Sequence, residues 1–343
     1  MDWMTHHNKF PHQGLLLSML VAGFLIELPG LRLAGAEEPR RQPETSMIPT
    51  QGQLLFHRYS SYDAWDGQLF LYDFTTKTLQ HLSQHWSIDH AMNAHFSPDG
   101  RQIVFMGVPA GSHESKSWDL YLWKLGSSDA PKNLTEGNGR RDEDPKFSPD
   151  GRAIVFKQDG AIRLIDLGGT HLRPFADLTP DTEWSMPIFT TDGKRIAVMQ
   201  GAGGTADLFL IEPGRRPPFP MAAIPKVQEY YPVTWDANRI LYVRWKSADD
   251  HHDQIYHYQI PKQTSEILPF SKPDANDSDP WPIDARKIFF SSTRSGGKGG
   301  YDLWIGDATT GEAVPITVDG INTRSEELGA CFWKARSSQS SRD

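Results

Sequence analysis

The chain of 343 residues contains a single cysteine, Cys331. One thiol cannot form a disulfide within the chain, so packing and hydrogen bonds must hold the fold together. The lack of bridges also separates the protein from small disulfide-stapled extracellular modules, and for an exported chain it favours a bacterial envelope protein. No cysteine lies near Ala36. Attachment of a lipid to a cysteine at that point is therefore excluded.

Basic residues are fewer than acidic residues: the chain has 35 Lys and Arg and 43 Asp and Glu, which gives a net charge of −8. Binding to a nucleic-acid backbone needs a basic face. We therefore predict no nucleic-acid partner. This acidic charge balance suits a protein that binds a cation, a neutral sugar or a basic patch on another protein. We also expect the protein to be a monomer.

Long apolar runs are also missing. The apolar segment Leu15–Ile26 has about 12 residues, whereas a membrane-spanning helix needs about 20. Lys9 precedes this segment, and Ala34-Gly35-Ala36 follows it with the small-x-small form of a signal-peptidase site. The sequence predicts a cleavable signal peptide over residues 1–36 and no transmembrane segment in the mature chain. We further predict a polar tether over residues 37–50. A cleaved signal peptide would place the mature protein in the periplasm or outside the cell.

Sustained helical periodicity is absent after this segment, and a repeated β-rich word takes its place. The clearest copies are His95–Phe105 and Lys146–Phe156, and each contains Phe-Ser-Pro-Asp-Gly-Arg. In such a turn the aspartate bonds its own backbone, and the glycine takes a positive φ. We therefore predict that these aspartates have a scaffold role and are not catalytic carboxylates.

Six copies of the word cover most of the chain. Their second strands begin at Leu54, Ile103, Ile154, Ile196, Ile240 and Ile288. The intervals are 49, 51, 42, 44 and 48 residues, and a period of this length with four short strands is typical of a propeller blade. The sequence predicts an all-β fold, a six-bladed β-propeller over residues 51–334, with a disordered tail over residues 335–343.

Blade one lacks an inner strand of its own, since no Pro-Asp-Gly word precedes Leu54. A spare strand word, Glu327–Trp333, lies at the far end of the repeats. We expect this C-terminal strand to complete blade one, because closing the ring removes the sheet edges that would otherwise promote aggregation.

The recurring Phe-Ser-Pro-Asp-Gly word and its following Asp-Leu-Tyr-Leu-type strand resemble the WD40-like propeller repeat of the TolB family. The resemblance covers about Gln51 to Trp333 and implies the fold more than an activity. The first blade begins about 15 residues after the expected cleavage site, so the α/β domain that precedes the TolB propeller is not expected. Prolyl-oligopeptidase-like peptidases share the repeat, but their Gly-x-Ser-x-Gly nucleophile elbow is absent. Oligogalacturonate lyases share it too, but with seven blades.

Candidate ligand-binding residues cluster before the inner strands, where the strand order places them at one mouth of the channel. They are Asp89, His90, Asn93, Arg141, Asp142, Glu143, Glu183, Trp184, Glu229, Tyr230, Asp277, Asp279 and Glu326. Converging carboxylates repel one another unless a cation or a basic partner lies among them. A divalent cation such as Ca²⁺ is one candidate occupant. Solvated rim charges are the alternative.

Two other sets of side chains carry weaker signals. Aromatic residues on the loops, Trp65, Trp118, Trp184 and Tyr301, could stack on sugar rings or pack between blades. The run Asp249–Asp253 is the densest potential metal cluster, but adjacent histidines in a strand or turn point apart.

Two functional hypotheses follow from the sequence. The first is an exported, non-enzymatic scaffold that binds an envelope protein or a glycan at the channel mouth. The second is a metal-assisted polysaccharide or oligosaccharide lyase in which His90, near Arg141, acts as general base or metal ligand.

Overall fold

The computed structural model describes residues 47–113, 118–178, 182–201 and 204–335. The predicted signal peptide, most of the predicted tether and residues 336–343 lie outside this part. Strands dominate the described residues, with one short 3-10 helix at Tyr62–Ala64. No helix among them is both long enough and apolar enough to cross a membrane. The all-β prediction is confirmed.

The strands are numbered in chain order. The first twelve are β1 (Gln53–Tyr59), β2 (Gln68–Asp73), β3 (Thr78–His81), β4 (Ile88–Phe96), β5 (Gln102–Pro109), β6 (Asp119–Lys124), β7 (Lys132–Asn133), β8 (Asp142–Phe147), β9 (Ala153–Gln158), β10 (Ala161–Asp166), β11 (Arg173–Pro174) and β12 (Trp184–Phe189). The others are β13 (Ile196–Gln200), β14 (Asp207–Ile211), β15 (Phe219–Ala222), β16 (Glu229–Thr234), β17 (Arg239–Trp245), β18 (Asp253–Gln259), β19 (Thr264–Ile267), β20 (Asp277–Pro282), β21 (Lys287–Ser292), β22 (Asp302–Asp307), β23 (Ala313–Pro315) and β24 (Glu326–Trp333).

These strands form six antiparallel sheets of four strands each. Blade one has the order β24-β1-β2-β3, and the other blades follow the chain as β4–β7, β8–β11, β12–β15, β16–β19 and β20–β23. Each inner strand, which is the first in these orders, contacts the inner strands of both neighbouring blades. The ring is therefore a six-bladed propeller around a central channel, as predicted.

The C-terminal strand closes the ring. Strand β24 pairs with β1 from Gln53↔Trp333 to Tyr59↔Glu326. The indole Nε1 of Trp333 donates to the carbonyl oxygen of Pro98 in blade two at 3.2 Å. The prediction that this strand completes blade one is confirmed, and β1 has no open edge.

The central residues of the second strands are apolar because both faces of each strand pack against neighbouring blades. Leu54 and Phe56 lie in one cluster with Phe289 of blade six, whereas Leu55 lies in another with Phe105 of blade two. All five side chains are 0% exposed. Alternating side chains of a strand point to opposite faces, so a strand buried on both faces must be apolar at every position.

The Asp-Gly turns are structural, as predicted. In blade two Oδ1 of Asp99 accepts the Ser97 hydroxyl at 2.6 Å and the Arg101 backbone N–H at 3.1 Å. Gly100 has φ +69°, and a Cβ atom there would lie 2.2 Å from Trp333 Cε2. Glycine is required at this turn by conformation and by the closing tryptophan.

Every inner strand has a bulge at one equivalent position near the mouth, where the residue takes a left-handed conformation. These residues are Asn93, Asp144, Met186, Tyr231, Asp279 and Gly329, with φ between +49° and +64°. Each bulge shifts the register against the neighbouring strand. Bulges re-aim side chains, so these six positions control what the channel presents.

Candidate functional site

Four of the six inner strands carry a carboxylate two residues before the bulge, and these side chains are buried. We call them anchors, because their hydrogen bonds hold neighbouring segments of the blade. Asp142, Glu229, Asp277 and Glu327 are all 0% exposed. Asp277 accepts Arg294 Nη2 at 2.6 Å and the Lys272 backbone N–H at 2.8 Å. These bonds satisfy a buried carboxylate and hold the preceding loop to its blade.

The other anchors follow the same pattern, with one exception. Glu327 accepts Arg58 Nε at 2.6 Å, and Asp142 accepts Gln158 Nε2 at 2.9 Å. Glu229 accepts the Ile224 backbone N–H at 3.2 Å, but its Oε1 has no hydrogen-bond partner in the described part of the chain. Burial raises the pKa of Glu229 to about 7. The anchors Asp142, Glu229 and Asp277 lie behind the channel surface, so their predicted ligand contact would have to be indirect.

Two of the predicted aromatic platforms are interior side chains. Trp184 occupies the anchor position of blade four and is 2% exposed, and Trp118 is 0% exposed. Neither ring can stack on a sugar, so both follow the alternative of interior packing. Trp65 and Tyr301 are half-buried.

His90 is enclosed by aromatic rings and is 0% exposed. The centroids of Tyr59, Tyr62, Trp65 and Trp118 lie 5.3–6.0 Å from its ring. Its Nδ1 accepts the Gly67 backbone N–H at 2.9 Å, and burial lowers the pKa of His90 to about 4. His90 is a neutral core residue, which contradicts the hypothesis that it acts as an accessible general base.

Asp89 lies on the outer side of this aromatic group. Its Oδ2 is 2.8 Å from His113 Nε2, and the His113 ring stacks on Trp65 with centroids 5.4 Å apart. Asp89 thus positions a loop side chain and does not face the channel acids.

A chain of ion pairs runs across the rim of blades three and four. Arg141 Nη2 lies 2.8 Å from Glu143 Oε1, and Lys157 Nζ bridges Glu143 at 3.2 Å and Glu183 at 3.1 Å. Burial of Glu143 is outweighed by Lys157 and Arg141, so the pKa of Glu143 is lowered. These predicted residues are brought together, and their charges largely compensate one another.

The channel proper contains carboxylates that are not compensated in this way. Asn93 Nδ2 donates to Asp144 Oδ1 at 3.0 Å. Burial raises the pKa of Asp279 to about 6, and burial and the charge of Glu143 raise the pKa of Asp144. Lys146 is the cation that interacts with both Asp144 and Asp279, and burial lowers the pKa of Lys146.

Asp253 is the most exceptional of these groups. It is 0% exposed, and in the described part of the chain neither carboxylate oxygen accepts a hydrogen bond of normal geometry. Burial raises the pKa of Asp253 to about 7; the nearby Tyr230 hydroxyl offsets part of the rise, and Asp279 and Asp277 add to it. A buried carboxyl without a partner pays a desolvation cost that a cation would offset.

Glu326 and three tyrosines complete the wall near Asp253. Glu326 Oε2 accepts the Tyr301 backbone N–H at 2.6 Å, and burial raises the pKa of Glu326. Burial and the charges of Asp279 and Glu326 raise the pKa values of Tyr59 and Tyr301, and burial raises that of Tyr231. The wall therefore presents neutral phenols among carboxyl groups.

Among the residues that the structure describes, no three His, Cys, Asp or Glu side chains are placed to hold a metal ion. In the Asp249–Asp253 run, Asp250 pairs with Lys246 at 2.8 Å and with His252 at 2.5 Å. His251 stacks on Trp245. The side chains of Asp250, His251 and His252 therefore make contacts that stabilise the loop.

The structure places Asn93, Tyr230, Asp279 and Glu326 beside a group of residues that the predicted ligand-binding set left out. That group consists of Tyr59, Asp144, Lys146 and Tyr231, together with Asp253 and Tyr301, for which the sequence suggested other roles. An alignment of the inner strands on the bulge would have found Asp144 and Tyr231, because four of the six bulge residues precede a proline: Pro145, Pro187, Pro232 and Pro280.

Comparison with known proteins supports the fold alone. No family model matches the sequence, and no curated protein does. Among solved structures, TolB of Acinetobacter baumannii is 18% identical with a TM-score of 0.59, over 82% of this chain and 66% of that one. A TolB candidate from Agrobacterium tumefaciens is 14% identical with a TM-score of 0.55, over 84% of this chain and 100% of that one.

Hydrazine synthase of Kuenenia stuttgartiensis has a TM-score of 0.60 at 12% identity, over 82% of this chain and 46% of that one. The chain thus spans about two thirds and about half of the first two structures. The TolB-like repeat indicated by the sequence is borne out as a TolB-like propeller fold. A fold shared by TolB and a hydrazine synthase is compatible with binding but does not choose a ligand.

Proposed function

We propose that this protein is an exported binding scaffold that takes a basic segment of an envelope protein at the mouth of its channel. Its TolB-like propeller supports a binding role at a coarse level. The signal-peptide pattern of residues 1–36 is the reason for placing it outside the cytoplasm.

The observation that carries the proposal is the uncompensated acid at the mouth. Asp279 is 7% exposed at the mouth, and the carboxyl of Asp253, which is 0% exposed, acts on a ligand there through its charge and not by direct contact. Lys146 acts on Asp144 and Asp279, Lys157 adds to its effect at Asp144, and neither lysine is among the groups that shift the pKa of Asp253. A lysine or arginine from a partner would supply the missing positive charge in a low-dielectric setting.

The tyrosines suit the same ligand. Tyr59, Tyr231 and Tyr301 combine an apolar ring with a hydroxyl, and such side chains often anchor protein partners at interfaces. A cationic side chain gains further from lying over an aromatic face. The hydroxyls of a neutral glycan could donate to the carboxyls but would bring no positive charge to compensate them, so the charge pattern favours a basic protein segment over a neutral sugar.

The lyase alternative loses its support, because it depended on an accessible His90 and that side chain is 0% exposed. The binding scaffold is therefore the function that we propose.

The test uses the mature full chain and fluorescein-labelled peptides of six residues, each with one Lys or one Arg, against matched peptides with Gln. Anisotropy is read at pH 6 and pH 8. The basic peptides should bind more tightly than the Gln peptides. Their affinity should rise from pH 6 to pH 8, because deprotonation of Asp253 and Asp279 creates the attracting charges.

The double variant Asp253→Asn/Asp279→Asn should weaken this binding by about tenfold or more, since one buried charge interaction is worth at least 1.4 kcal/mol. Asp99→Asn, in a turn on the opposite face, is the matched control and should bind as the wild type does. If the basic peptides bind no better than the Gln peptides at pH 8, the mouth does not select cations and the proposal fails.

A further inference from the structure

A second concave surface lies on the opposite face, between blades three and four. It encloses about 510 Å³. Its rim includes the Asp-Gly turn of blade three, Gly193 of the corresponding turn in blade four, and Pro213. We call it the turn-face groove. It lies at the end of the ring away from the channel mouth, because its turns connect the inner strands to the second strands.

A short outer strand opens this groove. Strand β11 has only two residues, whereas β15 and β19 have four each. The corresponding cavity between blades four and five measures only about 120 Å³. There an ion pair of Arg215 with Glu212, at 3.9 Å, occupies the rim. The turn-face groove is therefore larger than the corresponding cavity between blades four and five.

The acids in the groove are already used by their own turns. Asp150 Oδ1 accepts the Ser148 hydroxyl at 2.6 Å and the Arg152 backbone N–H at 3.1 Å. Asp166 accepts the Thr170 hydroxyl at 2.6 Å and lies 2.6 Å from His171 Nδ1. These hydrogen bonds hold the pKa values of both carboxyls below their usual range.

The cations in the groove lack such partners. Arg152 and Arg173 are exposed, and in the described part of the chain no carboxylate oxygen lies within 4.0 Å of either guanidinium. Guanidinium groups bind carboxylates with two parallel hydrogen bonds. Two arginines at one groove therefore offer sites for two acidic groups.

Between the charges the groove is apolar. Leu164, Phe175 and Phe189 line it and are 6–8% exposed. An apolar side chain placed against them would bury surface at about 25 cal/mol per Å². The groove thus combines an apolar floor with a rim on which the exposed guanidinium groups of Arg152 and Arg173 lie near two carboxylates that are hydrogen-bonded within their own turns.

We propose that the turn-face groove binds an acidic peptide segment of a partner protein, with an apolar side chain on the floor and flanking carboxylates on Arg152 and Arg173. This site is separate from the channel mouth and opposite to it in charge preference. It does not depend on the proposed function of the mouth.

The test uses the full chain and a set of labelled hexapeptides in which Asp and Glu flank one Leu, Ile, Phe or Trp. Matched peptides carry Lys in place of the acids. At least one acidic peptide should bind, and the binding should weaken as salt is raised. Hydrogen exchange should slow in β9 and β11 when that peptide is added, and not at the channel mouth.

The double variant Arg152→Ala/Arg173→Ala should weaken acidic-peptide binding by about tenfold. Arg101→Ala is the matched control, because Arg101 holds the same turn position in blade two outside the groove, and it should leave the affinity unchanged. The proposal is overturned if no acidic peptide binds more tightly than its Lys counterpart, or if the double variant binds as the wild type does.

Discussion

The channel mouth and the turn-face groove arrange their charged groups differently in one repeated fold. At the mouth, Asp253 and Asp279 have no cation of their own beyond Lys146. In the groove, Arg152 and Arg173 are exposed and form no ion pair within 4.0 Å in the described part of the chain, while Asp150 is bonded to Ser148 and to its own turn. The arginine of this turn is thus available to a partner, whereas the inner-strand bulges bring Asp144 and Asp279 together around one shared lysine, Lys146.

The largest effect should come from removing the cation of the channel. Lys146→Met removes the cation that acts on both Asp144 and Asp279, and it leaves Asp144 with the weaker effect of Lys157. We expect a loss of about 3–5 kcal/mol in the free energy of unfolding at pH 7, measured by urea denaturation. At pH 5 the loss should shrink, since Asp279, whose pKa is about 6, is then largely protonated.

The exposed Lys194→Met is the control for this change and should alter stability by less than about 0.5 kcal/mol. A loss below 1 kcal/mol in Lys146→Met would mean that the two acids are solvated, and the contrast between the two faces would disappear.

A smaller effect is expected for Asp253→Asn, and its sign depends on pH. The pKa of Asp253 is about 7 in the folded protein and lower in the unfolded chain. Between about pH 4 and pH 7 the folded state therefore holds a proton that the unfolded state releases, so this carboxyl costs stability as pH rises.

The cost accumulates at up to about 1.4 kcal/mol per pH unit. The free energy of unfolding of Asp253→Asn should therefore exceed that of the wild type by on the order of 2 kcal/mol at pH 7 and by little at pH 4. Urea denaturation across this pH range would measure the difference. Asp99→Asn, an exposed turn residue, serves for comparison. A difference between Asp253→Asn and wild type that does not grow with pH would show that Asp253 is ionised throughout.

The smallest effect belongs to the groove. Arg152→Ala and Arg173→Ala should each change the free energy of unfolding by less than about 0.5 kcal/mol, because exposed arginines without ion pairs contribute little to folding. Thermal and urea unfolding would check this. A loss above 1 kcal/mol would indicate that these arginines stabilise blade three and are not held free for a partner.

The fold was predictable because its determinants are local. The Phe-Ser-Pro-Asp-Gly words fix the turns, and the spare strand Glu327–Trp333 indicated how the ring closes. Both signals depend only on residue type and spacing.

The site was less predictable because burial separates residues that look alike in sequence. Asp142 and Asp144 are two positions apart, yet Asp142 bonds Gln158 inside the blade and Asp144 joins the channel group. His90 looked like a reactive histidine, but four aromatic rings that enclose it come from separate segments of the chain. Only the three-dimensional arrangement supplies that environment.

Closure of blade one by β24 also sets an order for synthesis. Arg58 and Glu327, which pair across this seam, are 269 residues apart. At 5–20 residues per second, β1 would wait roughly 15–50 s for its partner strand to be made. Blade one is therefore the first sheet to begin and the last to be finished. During that interval its open edge is the part of the nascent chain most in need of protection from other strands.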